Sequence, residues 1–398
     1  MKKLIHIFIA LVSVAAVSFG CIYEYEPKVA QKEVDLMVID GSIAVGGYSS
    51  LDISLTVPMG KDAPVGSIKS CRAEIETEDG KALPMNLAMQ LNGSISFMLD
   101  TRSLDPAQKY RCVIYCNHSG SDKKIVSEWQ APVISSAKPE VSWKVNRDST
   151  RLSVLVSTQG ESGTVGYYKW NYHEDWEVVS YYYSEYYFDP QAVAAVRYSD
   201  FDKENRYYCW KKADSEKILV NSTEDLTENK VVNFELTNMS NIDDRMQMLY
   251  AINVDQVAIS QRDYQYWNTL NTNTDDLGGI FSPQPSEHRG NVSNEYDADE
   301  HVLGFVSVGQ IKSERLFISP SLVKNFYHRP TMACEDTLVD GSKLSEMRYF
   351  YRYGYDIAAA EKNPDTGVFE VTWARARCVD CRLNGTKERP DYWPLPHY

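Results

Sequence analysis

Eight cysteines, seven histidines and 55 acidic residues are the groups in this 398-residue chain with chemical potential. Cys378-Val379-Asp380-Cys381 has the spacing of a redox pair or of half a zinc site. A structural zinc site wants a second Cys or His pair at matching spacing, and Cys209 and Cys334 stand alone in sequence. A thioredoxin-like pair needs a βαβ setting, which the surrounding residues do not offer. The expectation for these four cysteines is two structural disulfides that pin the C-terminal segment onto its domain. His173-Glu174 would suit a zinc protease only on a helix carrying two histidines around the Glu; Val178, Val179 and the nearby aromatics read as a strand. Asn271-Thr272-Asn273-Thr274-Asp275 has a calcium-loop composition, but its glycine, Gly278, comes two residues late and no Glu closes it. Residues 271–279 read as a polar loop. Gly160-Glu161-Ser162-Gly163 is one residue short of a nucleophile elbow. No catalytic residue, metal ligand or cofactor site is expected.

The stretch from Tyr167 to Phe188 holds 11 aromatics in 22 residues. Trp170, Tyr172, Trp176 and Tyr182 within it are candidates for a binding surface, since exposed aromatic rings are good stacking and contact groups. The same rings serve equally well as packing between Tyr-rich strands. Asp336-Thr337-Leu338 resembles a short acceptor motif for O-glycosylation in Bacteroidota, which makes Thr337 a candidate for modification. The net charge is −14 with no basic block, which argues against nucleic acid as a partner.

The elements that must position these groups are mostly strands. Val34 to Ile39 reads as a strand ending at Asp40-Gly41, and Leu51 to Val57 alternates apolar against polar, as a half-buried strand does. Arg72 to Glu76 repeats the pattern and meets a turn at Asp79-Gly80; Ile95 to Leu99 and Tyr110 to Cys116 continue it. Short strands at this spacing predict an immunoglobulin-like antiparallel sandwich over residues 34–133. Alternation puts Cys112, Ile114 and Cys116 on one face and Cys71 with Ala73 and Ile75, so Cys71 is expected to bond either Cys112 or Cys116. Residues 132–139 carry little periodicity and read as a boundary. A larger, β-rich domain with few short helices is expected over 140–398, opening with Val141 to Val145. Gln191 to Val196 reads as a short helix. Ser260 to Asn271 reads as another, with Ser260 as cap and Tyr264, Trp267 and Leu270 on one face.

The N-terminus reads as an address. Lys2 and Lys3 precede an apolar run from Leu4 to Val17, too short to be a stable span. Ser18-Phe19-Gly20-Cys21 resembles the lipobox of bacterial lipoproteins, which makes residues 1–20 a signal peptide, Cys21 the lipidated first residue and residues 21–33 a tether. Glu24 and Glu26 resemble the surface-export signal of Bacteroidota lipoproteins, so the expected location is the outer membrane, lipid-anchored and facing the exterior. Acylation of Cys21 leaves seven cysteines. In an oxidising compartment disulfides are the default, and an odd count leaves at least one thiol over.

Tyr167-Tyr168-Lys169-Trp170-Asn171-Tyr172 through Glu177 resembles a segment of a Bacteroidota lipoprotein family known as domain of unknown function 4249. So do Tyr207-Tyr208-Cys209-Trp210, the run Tyr250 to Ser260 with Tyr264 to Trp267, Pro283-Gln284-Pro285, Gly290-Asn291-Val292 and Val302-Leu303-Gly304-Phe305. The closing segment from Cys378 to Cys381 through Gly385-Thr386 to Pro390-Asp391-Tyr392-Trp393 is similar again. The resemblance implies an N-terminal sandwich, a larger C-terminal β domain, a lipid anchor and frequent encoding beside TonB-dependent transporters. It implies no activity and carries over no catalytic residue. The expected function is a non-catalytic binding or accessory component of a TonB-dependent nutrient uptake system, with the transporter as partner and the ligand unnamed. A surface hydrolase that trims a polymer, or an adhesive or structural module, are the alternatives.

Overall fold

Alternating sequence segments pair into five sheets in the computed structural model, which describes residues 35–57, 64, 66–91, 93–275, 290–323, 326 and 333–394. The expected signal peptide, Cys21, the tether through residue 33 and the Pro283-Gln284-Pro285 motif lie outside the described residues. The largest sheet has nine strands. One half contains β1 (Met37–Val45), β2 (Tyr48–Leu55), β6 (Ser94–Asp100) and the edge strand β5 (Asn86–Leu91). The other half contains β14 (Tyr208–Asp214), β11 (Tyr167–Val179), β17 (Tyr250–Ala258) and β19 (Leu303–Ile318), with β15 (Leu219–Ser222) paired to β11. The second sheet runs β18 (Val292–Asn294), β8 (Ser121–Ser127), β7 (Tyr110–His118), β3 (Ile68–Thr77) and β4 (Ala82–Pro84). The third runs β16 (Lys230–Ser240), β10 (Arg151–Gln159) and β9 (Pro139–Val145). A hairpin of β12 (Tyr186–Asp189) and β13 (Ala194–Arg197), and a sheet of β20 (Asp336–Asp340), β22 (Phe369–Arg375) and β21 (Tyr355–Lys362), complete the β structure. Among the described residues four α-helices join them: α1 (Phe201–Glu204), α2 (Gln261–Asp275), α3 (Leu344–Arg352) and α4 (Ala376–Val379). Among the described residues no helix is long and apolar enough to cross a membrane.

The protein is thus mainly β, as expected. Period-2 alternation turns Leu51, Ile53, Ile75, Phe97 and Ile114 into a core between the first and second sheets. Leu152, Val154, Trp170, Ile252 and Val254 do the same between the first and third. Strand β19 serves both cores: Val306 and Val308 enter one, Ile318 the other. These are all even-numbered, so both sandwiches lie on one face of the large sheet. On the opposite face Phe305 packs with Trp267 of α2, and Phe317 packs against the cluster containing Trp393.

The sandwich is not wholly antiparallel. β1 lies parallel to β19 from Val38 opposite Leu303 to Val45 opposite Gln310. This pairing crosses the aperiodic stretch 132–139, and it carries the first strand past Asp40-Gly41, where the sequence predicted an end. Two glycines allow the close approach. A Cβ on Gly41 would lie 2.7 Å from Leu51 Cδ1. Gly304 has φ +117, and a Cβ there would fall 1.8 Å from the Ile39 carbonyl oxygen.

Helix α2 forms with Ser260 accepting the Asp263 N–H at 3.2 Å, as its cap chemistry predicted. It extends to Asp275, so residues 271–275 are helical rather than loop. Thr269 and Thr272 return their hydroxyls to the Gln265 and Asn268 carbonyls at 2.7 and 2.9 Å, so these polar residues remain compatible with the helix. Gln191 to Val196 is not a helix. Asp189 accepts the N–H groups of Gln191 and Ala192, Val193 takes a positive φ, and the chain turns back into β13. Burial of Phe188 and Val193 beside Trp373 outweighs the helix preference of the alanines.

Cys71 bonds Cys116, Cys209 bonds Cys381, and Cys334 bonds Cys378. The Cys-x-x-Cys motif therefore closes on two distant partners, not on itself. Cys112 is the free cysteine among the described residues, and burial pushes its thiol up to about 12. Cys112 should resist alkylation at pH 8 in the folded protein and react fully in denaturant; native labelling at a rate typical of exposed thiols would contradict its placement. Gly304→Ala should destabilise the fold by at least about 2 kcal/mol, through positive-φ strain and the clash with Ile39. Denaturant melts check this, and an unchanged midpoint would contradict the β1–β19 contact.

Candidate functional site

A strand turns neighbouring residues to opposite faces, and this separates His173 from Glu174. Glu174 is buried on the side of the third sheet, where Arg245 donates to it at 3.0 Å and the Tyr250 hydroxyl donates a further hydrogen bond. Burial, followed by the Glu174 charge, raises Tyr250 well above its ordinary value. His173 points the other way, together with Asp175, into a cleft of about 650 Å³. Its floor is the β11–β14 pair, where His173 lies opposite Asp214 and Trp176 opposite Lys211. Its wall is the C-terminal segment 385–392.

The wall is held at three levels. Cys381 is bonded to Cys209 at the start of β14. Trp210 and Thr386 exchange backbone hydrogen bonds at 2.8 Å in both directions. Beyond them, Tyr392 and Trp393 pack against Trp210, Leu249, Ala251 and Phe317. Lys387 adds a bond to the Tyr208 carbonyl at 2.7 Å.

Inside the cleft the polar groups are tied to one another. His173 Nδ1 lies 2.7 Å from Asp214 and Nε2 lies 3.0 Å from Asp175. Hydrogen bonds to Asp175 and then Asp214 raise the imidazole to about 10, so it is a cation at neutral pH. The same contact lowers the Asp214 carboxyl. The Tyr392 hydroxyl donates to Asp175, and burial followed by that bond raises the phenol far above its usual range. The Arg315 guanidinium lies 3.5 Å over the Tyr392 ring. At the cleft's edge the sheet's other face takes over: there Asp244, outside the cleft, accepts from Trp176 Nε1 at 3.1 Å and from Lys211 at 2.6 Å. A His173 protonated at neutral pH has a proton on each ring nitrogen, one directed at each carboxylate. The cleft offers charged groups, hydrogen-bonding groups and indole surface. Among the described residues no group of three or more His, Cys, Asp or Glu side chains is arranged to hold a metal ion.

The four aromatic candidates do not converge. Trp170 is fully buried, donates to Gln256 at 2.9 Å and stacks on Phe234, so it builds the core and offers no surface. Tyr172 is half-buried against the same core. Tyr182 donates to the Cys334 carbonyl at 3.1 Å and to Asp336 at 3.0 Å, tying down the strand that carries Thr337. Thr337 itself is exposed on the edge strand β20. Trp176 alone of the four borders the cleft. Sequence reasoning did not single out Asp214, Arg389 or Tyr392 as cleft residues; only the family-like closing motif around Tyr392 pointed there.

Residues 22–315 match the family described as Domain of unknown function (DUF4249). No curated protein matches the chain. Among solved structures, a DUF4785 family protein from Legionella pneumophila is similar at 11% identity and a TM-score of 0.18, covering 56% of this chain and 50% of that one. The FN1-FN3 domains of chicken CNTN1 are similar at 13% identity and a TM-score of 0.16, covering 55% and 59%. Trypsin-activated alpha-2-macroglobulin from Escherichia coli is similar at 9% identity and a TM-score of 0.18, covering 77% and 16%. The chain spans half the length of the Legionella structure, and scores this low carry no argument about fold or function.

The raised imidazole fixes a pH dependence. Its folded value lies above its unfolded one, so its contribution to stability is complete below about pH 6.5. That contribution is lost as pH rises through about 10. An NMR titration should show His173 protonated from pH 6 to 8.5, and His173→Gln should abolish the alkaline loss attributable to this group. An inflection near 6.5 would contradict the Asp175–His173–Asp214 arrangement.

Proposed function

Because the chain belongs to the DUF4249 family, we propose that it is a surface lipoprotein anchored to the outer membrane through Cys21. Its proposed role is a non-catalytic binding or accessory component of a TonB-dependent nutrient uptake system in Bacteroidota. The observation that carries this reading is the cleft between β11, β14 and segment 385–392. Its imidazole is held between the carboxylates at 175 and 214, which favour its protonated form, and its wall is covalently clamped. A rigid site with its charges set in advance loses little freedom on binding, which favours affinity over turnover. The lipobox-like Ser18 to Cys21 and the acidic residues after it support the address. Several acyl chains on one residue give durable anchoring where one would be marginal.

Affinity purification of the tagged chain from detergent-solubilised outer membranes should recover a TonB-dependent transporter in near-stoichiometric amount. Cys21→Ser should shift the chain from the membrane to the soluble fraction. Recovery of the chain alone, with uptake unaffected by its deletion, would overturn the proposal.

A further inference from the structure

Four exposed arginines lie on α3 and on the β22–α4 junction bonded to its C-terminal end. Arg348 and Arg352 stand one turn apart on the helix, and Arg375 and Arg377 lie at the junction of β22 and α4. The junction is bonded to the helix end: Ala376 N–H donates to the Gly354 carbonyl at 2.9 Å. Arg375 donates to the Tyr353 carbonyl at 3.4 Å and lies 4.5 Å over the Tyr355 ring. Beside the Arg348–Arg352 row runs a second row, Tyr349 and Tyr353, with ring centroids 4.5 Å apart and exposures of 56% and 58%. Met347 and Phe350 turn inward to the core on the other side of the helix. At the foot of both rows a shallow cavity of about 550 Å³ is lined by Gly354, Arg375, Arg377 and Leu383.

Among the described residues none of these four guanidinium groups has a carboxylate within 4.0 Å, whereas Arg102, Arg206, Arg245 and Arg382 each hold one. This happens in a chain with 55 acidic residues against 41 basic ones. The helix dipole accounts for Arg352 and for the carbonyl contact of Arg375. It accounts neither for Arg348 and Arg377 nor for the two exposed tyrosines.

We propose that this Arg–Tyr surface binds a carboxylate-bearing polysaccharide. Guanidinium groups grip carboxylates with two parallel hydrogen bonds, and tyrosine rings offer flat apolar faces to sugar C–H groups. Residues i and i+4 on a helix are separated by about 6 Å along its axis, so Arg348 and Arg352 form one charged row beside the packed Tyr349–Tyr353 pair, a strip along which a chain of carboxylate-bearing sugars can lie. The net charge of −14 disfavours a denser polyanion such as duplex nucleic acid, with one charge per roughly 1.7 Å. The surface is separate from the cleft, and its test requires no transporter.

The test measures binding of the full mature chain to polygalacturonate at low ionic strength, with dextran as the neutral control. Wild type should bind polygalacturonate and not dextran. Arg348→Gln/Arg352→Gln/Arg377→Gln should bind about tenfold more weakly, as expected for three exposed charge pairs, with an unchanged circular dichroism spectrum. The corresponding triple Lys variant should recover only part of the affinity, because it restores the charge and not the paired hydrogen bonds, and Tyr349→Ala/Tyr353→Ala should lose it. If the triple variant fails to fold, the single variants R348Q and R377Q are read instead, each with a measurable loss. No binding by wild type, equal binding by the Gln variants, or binding to poly-glutamate or phosphatidylglycerol vesicles in place of polygalacturonate would overturn the proposal.

Discussion

The parallel pairing of β1 with β19 is the constraint on which the rest of the molecule depends. It joins the start of the described chain to residues more than 250 positions later. Because β19 continues past β1 to pair with β17, one strand sets the register of both halves of the large sheet. The pairing also builds the face opposite the cores. Asp40 is placed beneath α2, where Lys169 reaches it at 3.4 Å while its ammonium sits 3.6 Å from the Trp267 ring centroid. Lys169 is almost completely buried, and a buried cation needs such partners. Gly41 and Gly304 are the local conditions for this approach, and neither position tolerates a Cβ without displacement of its neighbours.

The same face of the sheet carries the cleft. At one end it is covered by α2 through Trp267 and Phe305, and at the other by Tyr392 and Trp393 of the C-terminal segment. Between these two apolar seals the strands present polar residues. Asp255 accepts from Ser313, and its carboxyl is raised chiefly by burial. Asn253 accepts from Arg315, and His173 bridges Asp175 and Asp214. The covalent link from Cys209 to Cys381 closes a loop of 172 residues, and a bridge over so long a loop removes much freedom from the unfolded chain. The wall of the cleft is therefore a fixed part of the fold, and its position relative to His173 does not have to be reached anew for each ligand.

Much of this was legible locally. Strict alternation located β2, β3, β6 and β7, and the Ser260 cap with Tyr264, Trp267 and Leu270 located α2. The cysteines near the end were legible as a clamp on the C-terminal segment, because no metal or redox setting accompanied them. The choice between Cys112 and Cys116 for Cys71 was not, since both face the core and only register decides. The continuation of β1 through Asp40-Gly41 was hidden for the same reason: its partner is remote, and Asp-Gly is a turn signal in isolation. Residues 191–196 misled because alanine favours helix, while the hairpin is decided by Asp189 and by burial of Val193. The cleft was half visible. Trp176 lay in the aromatic stretch, but Asp214 and Tyr392 come from separate parts of the chain, and no local pattern could bring them to His173.

The central proposal is that the cleft floored by β11 and β14 and walled by residues 385–392 is where this protein meets its partner or ligand. Site-specific photo-crosslinking in intact cells tests it most directly, with the reactive group introduced at Lys212 on the cleft rim and, separately, at the exposed Asp365 far along the chain. The account predicts an adduct from position 212, identified by mass spectrometry as a TonB-dependent transporter or its captured nutrient, and none from position 365. Adducts of that kind from position 365 alone, or from neither position in cells with active uptake, would contradict it.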